Sequence, residues 1–209
     1  FGFGFLATAE KREAFAREAA EDVRAAAFLG APAVAFHLGN EAVSEDQLAE
    51  ANAAVLREAV RVAREEGVVV ALENHCHGWG DRWEQLEAVA RLLDSPAVGF
   101  TLDSGHAVVA GQDPVELARR MGSRLALTHL HDNDGSGDLH RPAGRSGVNG
   151  SLEGGGRIDW PTLIEALREV GYPERNAWML EGGTQVAGDE VQALLEAHIA
   201  AFRPFVTRS

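Results

Sequence analysis

The chain has 209 residues, of which 45% are hydrophobic and 24% are charged, and its formal net charge at pH 7 is −13. This length and composition predict a globular domain with a sizeable core, and the acidic balance argues against a broad nucleic-acid-binding surface. The single cysteine, Cys76, excludes an intrachain disulfide, and no apolar run is long enough for a transmembrane helix. We therefore expect a cytoplasmic protein without a membrane partner.

Helical and strand-like segments alternate along nearly the whole chain. The predicted helices, in chain order, cover Glu10–Phe28, a segment from Ser44 to about Glu66, Arg82–Leu93, Pro114–Met121, Trp160–Val170 and Asp189–Phe202. The predicted strands cover Ala33–Leu38, Val68–Glu73, Val98–Asp103, Leu125–His129 and Ala177–Glu181. Ser44 with Gln47 predicts a capping box, and Asp113 and Asp159 are expected to cap the helices that follow them.

The spacing of these elements predicts a parallel sheet. Strands and helices alternate at roughly thirty-residue spacing, which is typical of βαβ units, and continuous apolar strands indicate burial on both faces. We expect an α/β fold of the (β/α)8 TIM-barrel type that lacks two or three N-terminal βα units, because only five of eight strands can be found. The whole chain, 1–209, is expected to form one such domain, with a long glycine-containing loop over Asp132–Gly156.

Four of the predicted strands end in a residue that can bind a metal ion. Glu73, Asp103, His129 and Glu181 each follow an apolar run, and His106 comes three residues after Asp103. Ligands bind at the carboxyl ends of strands in parallel α/β structures, so these ends predict a single site. Carboxylates mixed with imidazole suit Mn²⁺, Mg²⁺, Co²⁺ or Zn²⁺.

Each of these residues also has a structural interpretation. A strand-end glutamate could pair with a basic residue, although Lys11 is the only lysine in the chain. Asp103 could bind backbone amides in a turn, with His106 merely packing. Of two further histidine positions, either His129 or His131 could be the ligand after its strand.

The ordered motifs around these residues are similar to one known family. They are Leu72-Glu73-Asn74-His75, Leu102-Asp103-Ser104-Gly105-His106-Ala107, His129-Leu130-His131-Asp132, Gly156-Arg157-Ile158-Asp159-Trp160 and Leu180-Glu181. Together they resemble the xylose isomerase-like TIM-barrel superfamily, in particular its sugar phosphate isomerase/epimerase branch. The resemblance implies one divalent cation held by Glu73, Asp103, His129 and Glu181. It also implies that Glu73 and Glu181 exchange the substrate proton.

The resemblance implies a metal-dependent isomerase or epimerase that acts on a sugar, sugar phosphate or related polyol through an enediolate. Further residues are expected to bind substrate or a second metal: His37, His106, His131, Asp138 and His140. The expected partner is a small carbohydrate rather than nucleic acid, and a homo-oligomer is left open. Two alternatives remain: an endonuclease IV-like zinc phosphodiesterase on abasic DNA, which shares this fold, and a non-catalytic truncated barrel.

Overall fold

The structure is a computed structural model that describes residues 3–40, 43–143, 156–172, 177–182 and 189–206. Its α-helices are α1 (Ala9–Leu29), α2 (Leu48–Glu66), α3 (Trp83–Leu93), α4 (Ser104–Val109), α5 (Pro114–Met121), α6 (Trp160–Glu169) and α7 (Asp189–Val206). Its strands are β1 (Ala33–Phe36), β2 (Val69–Glu73), β3 (Val98–Asp103) and β4 (Leu125–His129). Residues Phe3–Leu6, Glu45–Gln47 and Gly122–Arg124 form short 3₁₀ helices.

The four strands form one sheet in the order β1-β2-β3-β4. β1 pairs parallel with β2, and β2 pairs parallel with β3, so that Glu73 lies opposite Thr101 in the register. Gly99 in β3 allows a close approach, because a Cβ there would fall 2.7 Å from the Arg124 carbonyl oxygen. Four predicted strands are thus confirmed, although β1 ends at Phe36 and His37 lies beyond it.

The fifth predicted strand, Ala177–Glu181, is wrong as a strand. Only Leu180 pairs, through an isolated parallel bridge to Leu130. The Leu130 amide donates to the Met179 carbonyl oxygen at 2.9 Å, and the Glu181 amide donates to the Leu130 carbonyl oxygen at 3.1 Å. These two hydrogen bonds fix the backbone of Glu181, although the described residues around it form no longer run of strand pairing.

Two local predictions about helices differ from the structure. The Ser44 capping box is wrong: Ser44 precedes a 3₁₀ turn, its side chain makes no capping bond, and α2 begins later, at Leu48. Helix α4 was not predicted, since Asp103-Ser104-Gly105-His106 reads as a turn. Asp103 caps it by accepting a hydrogen bond from the His106 amide.

The chain divides into two compact units, of which the first comprises Phe1–Thr101 and Arg124–Leu127. In this unit α1 packs on α2, and Phe15 stacks on Phe5 at 3.8 Å between ring centroids. Buried Asn52 fastens the segment after β1, because its amide donates to the Gly39 carbonyl oxygen at 2.9 Å and accepts from the Gly39 amide at 2.7 Å. The turn that follows β1 is therefore held by α2.

The second unit comprises Leu102–Ser123 and Thr128–Ser209. Buried Tyr172 ties its central segments together: its hydroxyl lies 3.1 Å from the Thr128 hydroxyl and donates to the Ala177 carbonyl oxygen at 2.8 Å. Burial raises the pKa of this phenol. Phe202 of α7 meets Trp160 and Trp178 edge-on. Within the described part of the chain, no helix has the length and apolar character needed to cross a bilayer.

Candidate active site

The second unit gathers seven of the residues singled out from the sequence. They are Asp103, His106, His129, His131, Asp138, His140 and Glu181. They come from the end of β3, the start of α4, the end of β4, the segment after β4 and the Leu180 bridge. Asp103 and His129 lie at strand ends, as the sequence predicts, whereas Glu181 follows an isolated bridge, and their joint role in one site stays a prediction.

Asp103 lies at the centre of the group and is completely buried. Its Oδ1 accepts a hydrogen bond from the His106 amide at 2.7 Å and lies 2.9 Å from His131 Nε2. Its Oδ2 faces two imidazoles, with His106 Nδ1 at 3.5 Å and His129 Nδ1 at 4.0 Å. The two oxygens thus have different surroundings. Oδ1 contacts the His106 amide and the His131 ring, whereas Oδ2 faces the rings of His106 and His129.

His129 and Glu181 form the second part of the group. His129 is the last residue of β4, and its Nδ1 lies 3.3 Å from Glu181 Oε2. Glu181 is fixed at its backbone by the bond to Leu130. His129 therefore stands between the two carboxylates, Asp103 and Glu181.

Asp138 and two histidines form a third part. Asp138 Oδ2 lies 3.1 Å from His140 Nε2 and 3.4 Å from His106 Nε2. Partial burial alone would raise the pKa of Asp138, but hydrogen bonds with the two histidines lower it well below its ordinary value. The hydrogen bond to Asp138 in turn raises the pKa of His140. His140 has a positive φ of 45°, and its Nδ1 lies 3.9 Å from Glu181 Oε1.

His131 lies differently from His129, although the two are only two residues apart. β4 ends at His129, and the His131 side chain is fully buried with its ring against Asp103. The His131 ring also stacks on that of His140, with centroids 4.1 Å apart and planes within 4°. One ligand-type atom from each of His131, His140 and Glu181 lies within 4.8 Å of the others.

The first unit holds the two remaining predicted residues. Glu73, the last residue of β2, is 4% exposed, and its Oε2 lies 3.3 Å from His37 Nε2. The His37 ring meets the His75 ring edge-on at 4.8 Å between centroids. The Glu73 carboxylate, which was predicted to be a metal ligand, thus contacts the imidazole of His37 in its own unit.

Asp132 and Trp160 are structural residues to which the sequence analysis assigned no role. Buried Asp132 accepts hydrogen bonds from the Trp160 indole and from the Asn133 amide, both at 2.7 Å. A Cβ at Gly156 would overlap this carboxylate, which explains the glycine in the Gly156–Trp160 motif. The Asp132 backbone pairs with Arg141, and the Asn133 carbonyl oxygen accepts from the Arg157 amide. The two motifs that contain Asp132 and Trp160 were the only sequence signal for this hydrogen bond.

His198 was also missed, and nothing in the sequence distinguishes it. It lies on α7, is 1% exposed, and its ring nitrogens make no hydrogen bond in the described part of the chain. Burial lowers its pKa to about 4, and the nearby His131 and His140 act in the same direction.

The group around Asp103 has the composition of a divalent-cation site. Ligand atoms bound at about 2.1 Å from one cation lie roughly 3–4 Å apart. The Asp103–His129 and His129–Glu181 separations, 4.0 Å and 3.3 Å, lie in this range. Carboxylate and imidazole are donor types that divalent cations accept together, so these residues fit a metal ion.

The model of one protein family, the xylose isomerase-like TIM barrel, matches residues 2–198. The chain belongs to this family. A solved structure described as a D-tagatose 3-epimerase-like protein is similar to the chain at 22% identity and a TM-score of 0.74, over 97% of this chain and 75% of the other. The IolI protein, solved with a zinc atom, is similar at 19% identity and a TM-score of 0.67, over 92% and 70% of the two chains.

A curated relative carries a different activity in its name. The probable endonuclease 4 of Mycobacterium leprae (strain Br4923) is 30% identical over 155 residues, which are 71% of this chain and 58% of the relative. Across eight curated relatives, the chain spans between 25% and 58% of the relative's length. The xylose isomerase-like fold is therefore shared over most of this chain, whereas the relatives are longer.

Proposed function

We propose that the protein is a metal-dependent isomerase or epimerase that acts on a sugar, sugar phosphate or related polyol. The observation that carries this proposal is the position of His129 within the second unit, where its Nδ1 lies 4.0 Å from Asp103 Oδ2 and 3.3 Å from Glu181 Oε2. These residues are three of the four ligands that the family resemblance implies. Glu73, buried at the end of β2, is proposed as the fourth.

A bound divalent cation would polarise a substrate carbonyl and favour loss of the proton from the adjacent carbon. Glu181 would accept or return that proton through its carboxylate, and we assign Glu73 the complementary role from the family resemblance. His129, whose Nδ1 lies 3.3 Å from Glu181 Oε2, would bind the cation beside Glu181. His106, between Asp103 and Asp138, would orient a substrate hydroxyl.

The proposal is tested by measuring the exchange of the substrate proton with solvent. Mn²⁺-loaded protein is incubated in D₂O with D-tagatose and D-fructose, and deuterium at the carbon next to the carbonyl is measured by NMR. We expect incorporation with the wild type and a loss of at least about 100-fold in Glu181→Gln, which keeps the shape but cannot take up a proton. Glu165→Gln, at an exposed carboxylate on α6, is the matched control and should retain the wild-type rate. Equal rates in both variants would contradict the role of Glu181.

A zinc phosphodiesterase is the second candidate, supported by the similarity to endonuclease 4 and by the additional cluster of His106, Asp138 and His140. The net charge of −13 weighs against it, because a duplex repels an acidic surface. Metal analysis of protein purified without added metal separates the two. Three zinc ions per chain would favour the nuclease, and one exchangeable Mn²⁺ or Mg²⁺ would favour the isomerase.

A further inference from the structure

His131 is bonded to the buried Asp103 carboxylate, and its ring also lies near His140 and Glu181. Its Nε2 lies 2.9 Å from Asp103 Oδ1, and both side chains are completely buried. An ionised carboxylate can only accept a hydrogen bond, so this contact requires the proton on Nε2. The imidazole therefore acts as a donor directed at one chosen oxygen of Asp103.

The two residues that follow Asp103, Ser104 and Gly105, form the binding site for His131 within the fold. The Ser104 hydroxyl donates to the His131 carbonyl oxygen at 2.7 Å and accepts from the His131 amide at 3.0 Å. A Cβ at Gly105 would overlap the imidazole ring, so only glycine leaves room for it. Within the Asp103-Ser104-Gly105 motif, Ser104 thus binds the backbone of His131 and Gly105 leaves room for its ring. Asp103 accepts the hydrogen bond from the ring nitrogen.

The result is a carboxylate with two distinct oxygens. Oδ1 has the His106 amide at 2.7 Å and His131 Nε2 at 2.9 Å, whereas Oδ2 faces His129 and His106. Two N–H donors on one oxygen restrain rotation about the bond to the carboxylate. Stacking of His131 on His140 further limits tilting of the ring.

We propose that His131 is a positioning residue that fixes Asp103 so that Oδ2 alone is presented to a bound divalent cation. This inference rests on the proposed function, in which Asp103 is a metal ligand. Hydrogen-bond partners of metal ligands typically contribute 10–100-fold to metal affinity. His131 acts in this way through its hydrogen bond to Asp103.

The test compares two replacements of His131, with Mn²⁺ alone as the probe. His131→Phe keeps a ring but removes the donor, and we expect the Kd for Mn²⁺ from calorimetric titration to rise by about 10–100-fold. His131→Gln keeps an N–H near the position of Nε2 and should stay within about threefold of the wild type. His198→Phe, which removes a buried imidazole that makes no ring hydrogen bond in the described residues, is the matched control and should not change the Kd.

A second pair of variants tests whether Gly105 positions the His131 ring. Gly105→Ala displaces the ring, so it should weaken Mn²⁺ binding as much as His131→Phe does. The double variant should be no weaker than either single variant, because both remove the same contact. Additive losses would overturn the proposal, as would wild-type affinity in His131→Phe or an equal loss in His198→Phe.

Two further measurements keep the inference independent of folding and of the proposed function. In metal-free wild type, the ¹⁵N spectrum of the histidine rings should show a proton on His131 Nε2, and an Nε2 without a proton would overturn the proposal even if His131→Phe fails to fold. Asp103→Asn reports on the proposed function instead. If it binds Mn²⁺ like the wild type, the metal assignment fails; if it loses binding while His131→Phe does not, only the positioning role fails.

Discussion

Protonation of His198 should destabilise the protein between neutral and mildly acidic pH. The imidazole is 1% exposed on α7, and burial lowers its pKa from 6.5 to about 4. Because the folded-state pKa is below the unfolded one, the unfolded chain binds the proton more readily. Stability is therefore fully present above pH 6.5 and is lost as the pH falls towards 4.

The size of the effect follows from the shift. One pKa unit corresponds to 1.36 kcal/mol, so the shift to about 4 predicts a loss of about 3 kcal/mol once both pKa values are passed. At about pH 5 only the unfolded chain is protonated at this position, and the expected loss is about 2 kcal/mol relative to pH 7.5. For a domain whose stability is typically 5–15 kcal/mol, such a loss is measurable.

The assay is urea unfolding in the presence of EDTA at both pH values, for the wild type and for His198→Leu. Other groups titrate in both proteins, so the difference between their pH-dependent changes isolates His198. We expect the wild type to lose about 2 kcal/mol more than the variant on acidification. If the two proteins lose the same free energy within about 0.5 kcal/mol, the assignment of a buried neutral imidazole is refuted.

Three further perturbations have expected outcomes. Trp160→Phe leaves the buried Asp132 carboxylate without its indole donor and should cost about 2–3 kcal/mol in urea unfolding; no change would contradict the structural role of this bond. Tyr172→Phe removes the hydroxyl that joins Thr128 to the Ala177 carbonyl oxygen and should cost about 1–2 kcal/mol, measured in the same way. Saturating Mn²⁺ at about 100 times its Kd should stabilise the wild type by about 2.7 kcal/mol, and EDTA should reverse this fully; a thermal transition insensitive to both would contradict the metal assignment.

The fold was largely predictable because its signals are local. Continuous apolar runs ending in a charged residue identified β2, β3 and β4, and β4 has the predicted bounds. Asp113 and Asp159 cap α5 and α6 as expected, since each accepts from an amide of the first turn. The capping box at Ser44 failed because a 3₁₀ turn intervenes, and a motif of four residues does not reveal where α-helical bonding begins.

The grouping of site residues was predictable, but their individual positions were not. The carboxyl ends of neighbouring parallel strands lie at one edge of a sheet, which is why the placement of Asp103 and His129 near each other was predictable. Whether a neighbouring imidazole faces the group or lies behind it depends on tertiary packing. The His131 ring reaches Asp103 because Gly105 leaves space for it, and Glu181 is held by one backbone bridge where a strand was expected.

The pairing of Asp132 with Arg141 and the bond from the Arg157 amide to the Asn133 carbonyl oxygen have an evolutionary consequence. Together they fasten both ends of the segment between Arg141 and Arg157 to the base of the site. In general, a connection between two fixed points can change length at a small cost, since each doubling of a flexible loop costs only about 0.6 kcal/mol. Changes in length between these two anchored residues are therefore expected to leave the residues around Asp103 in place.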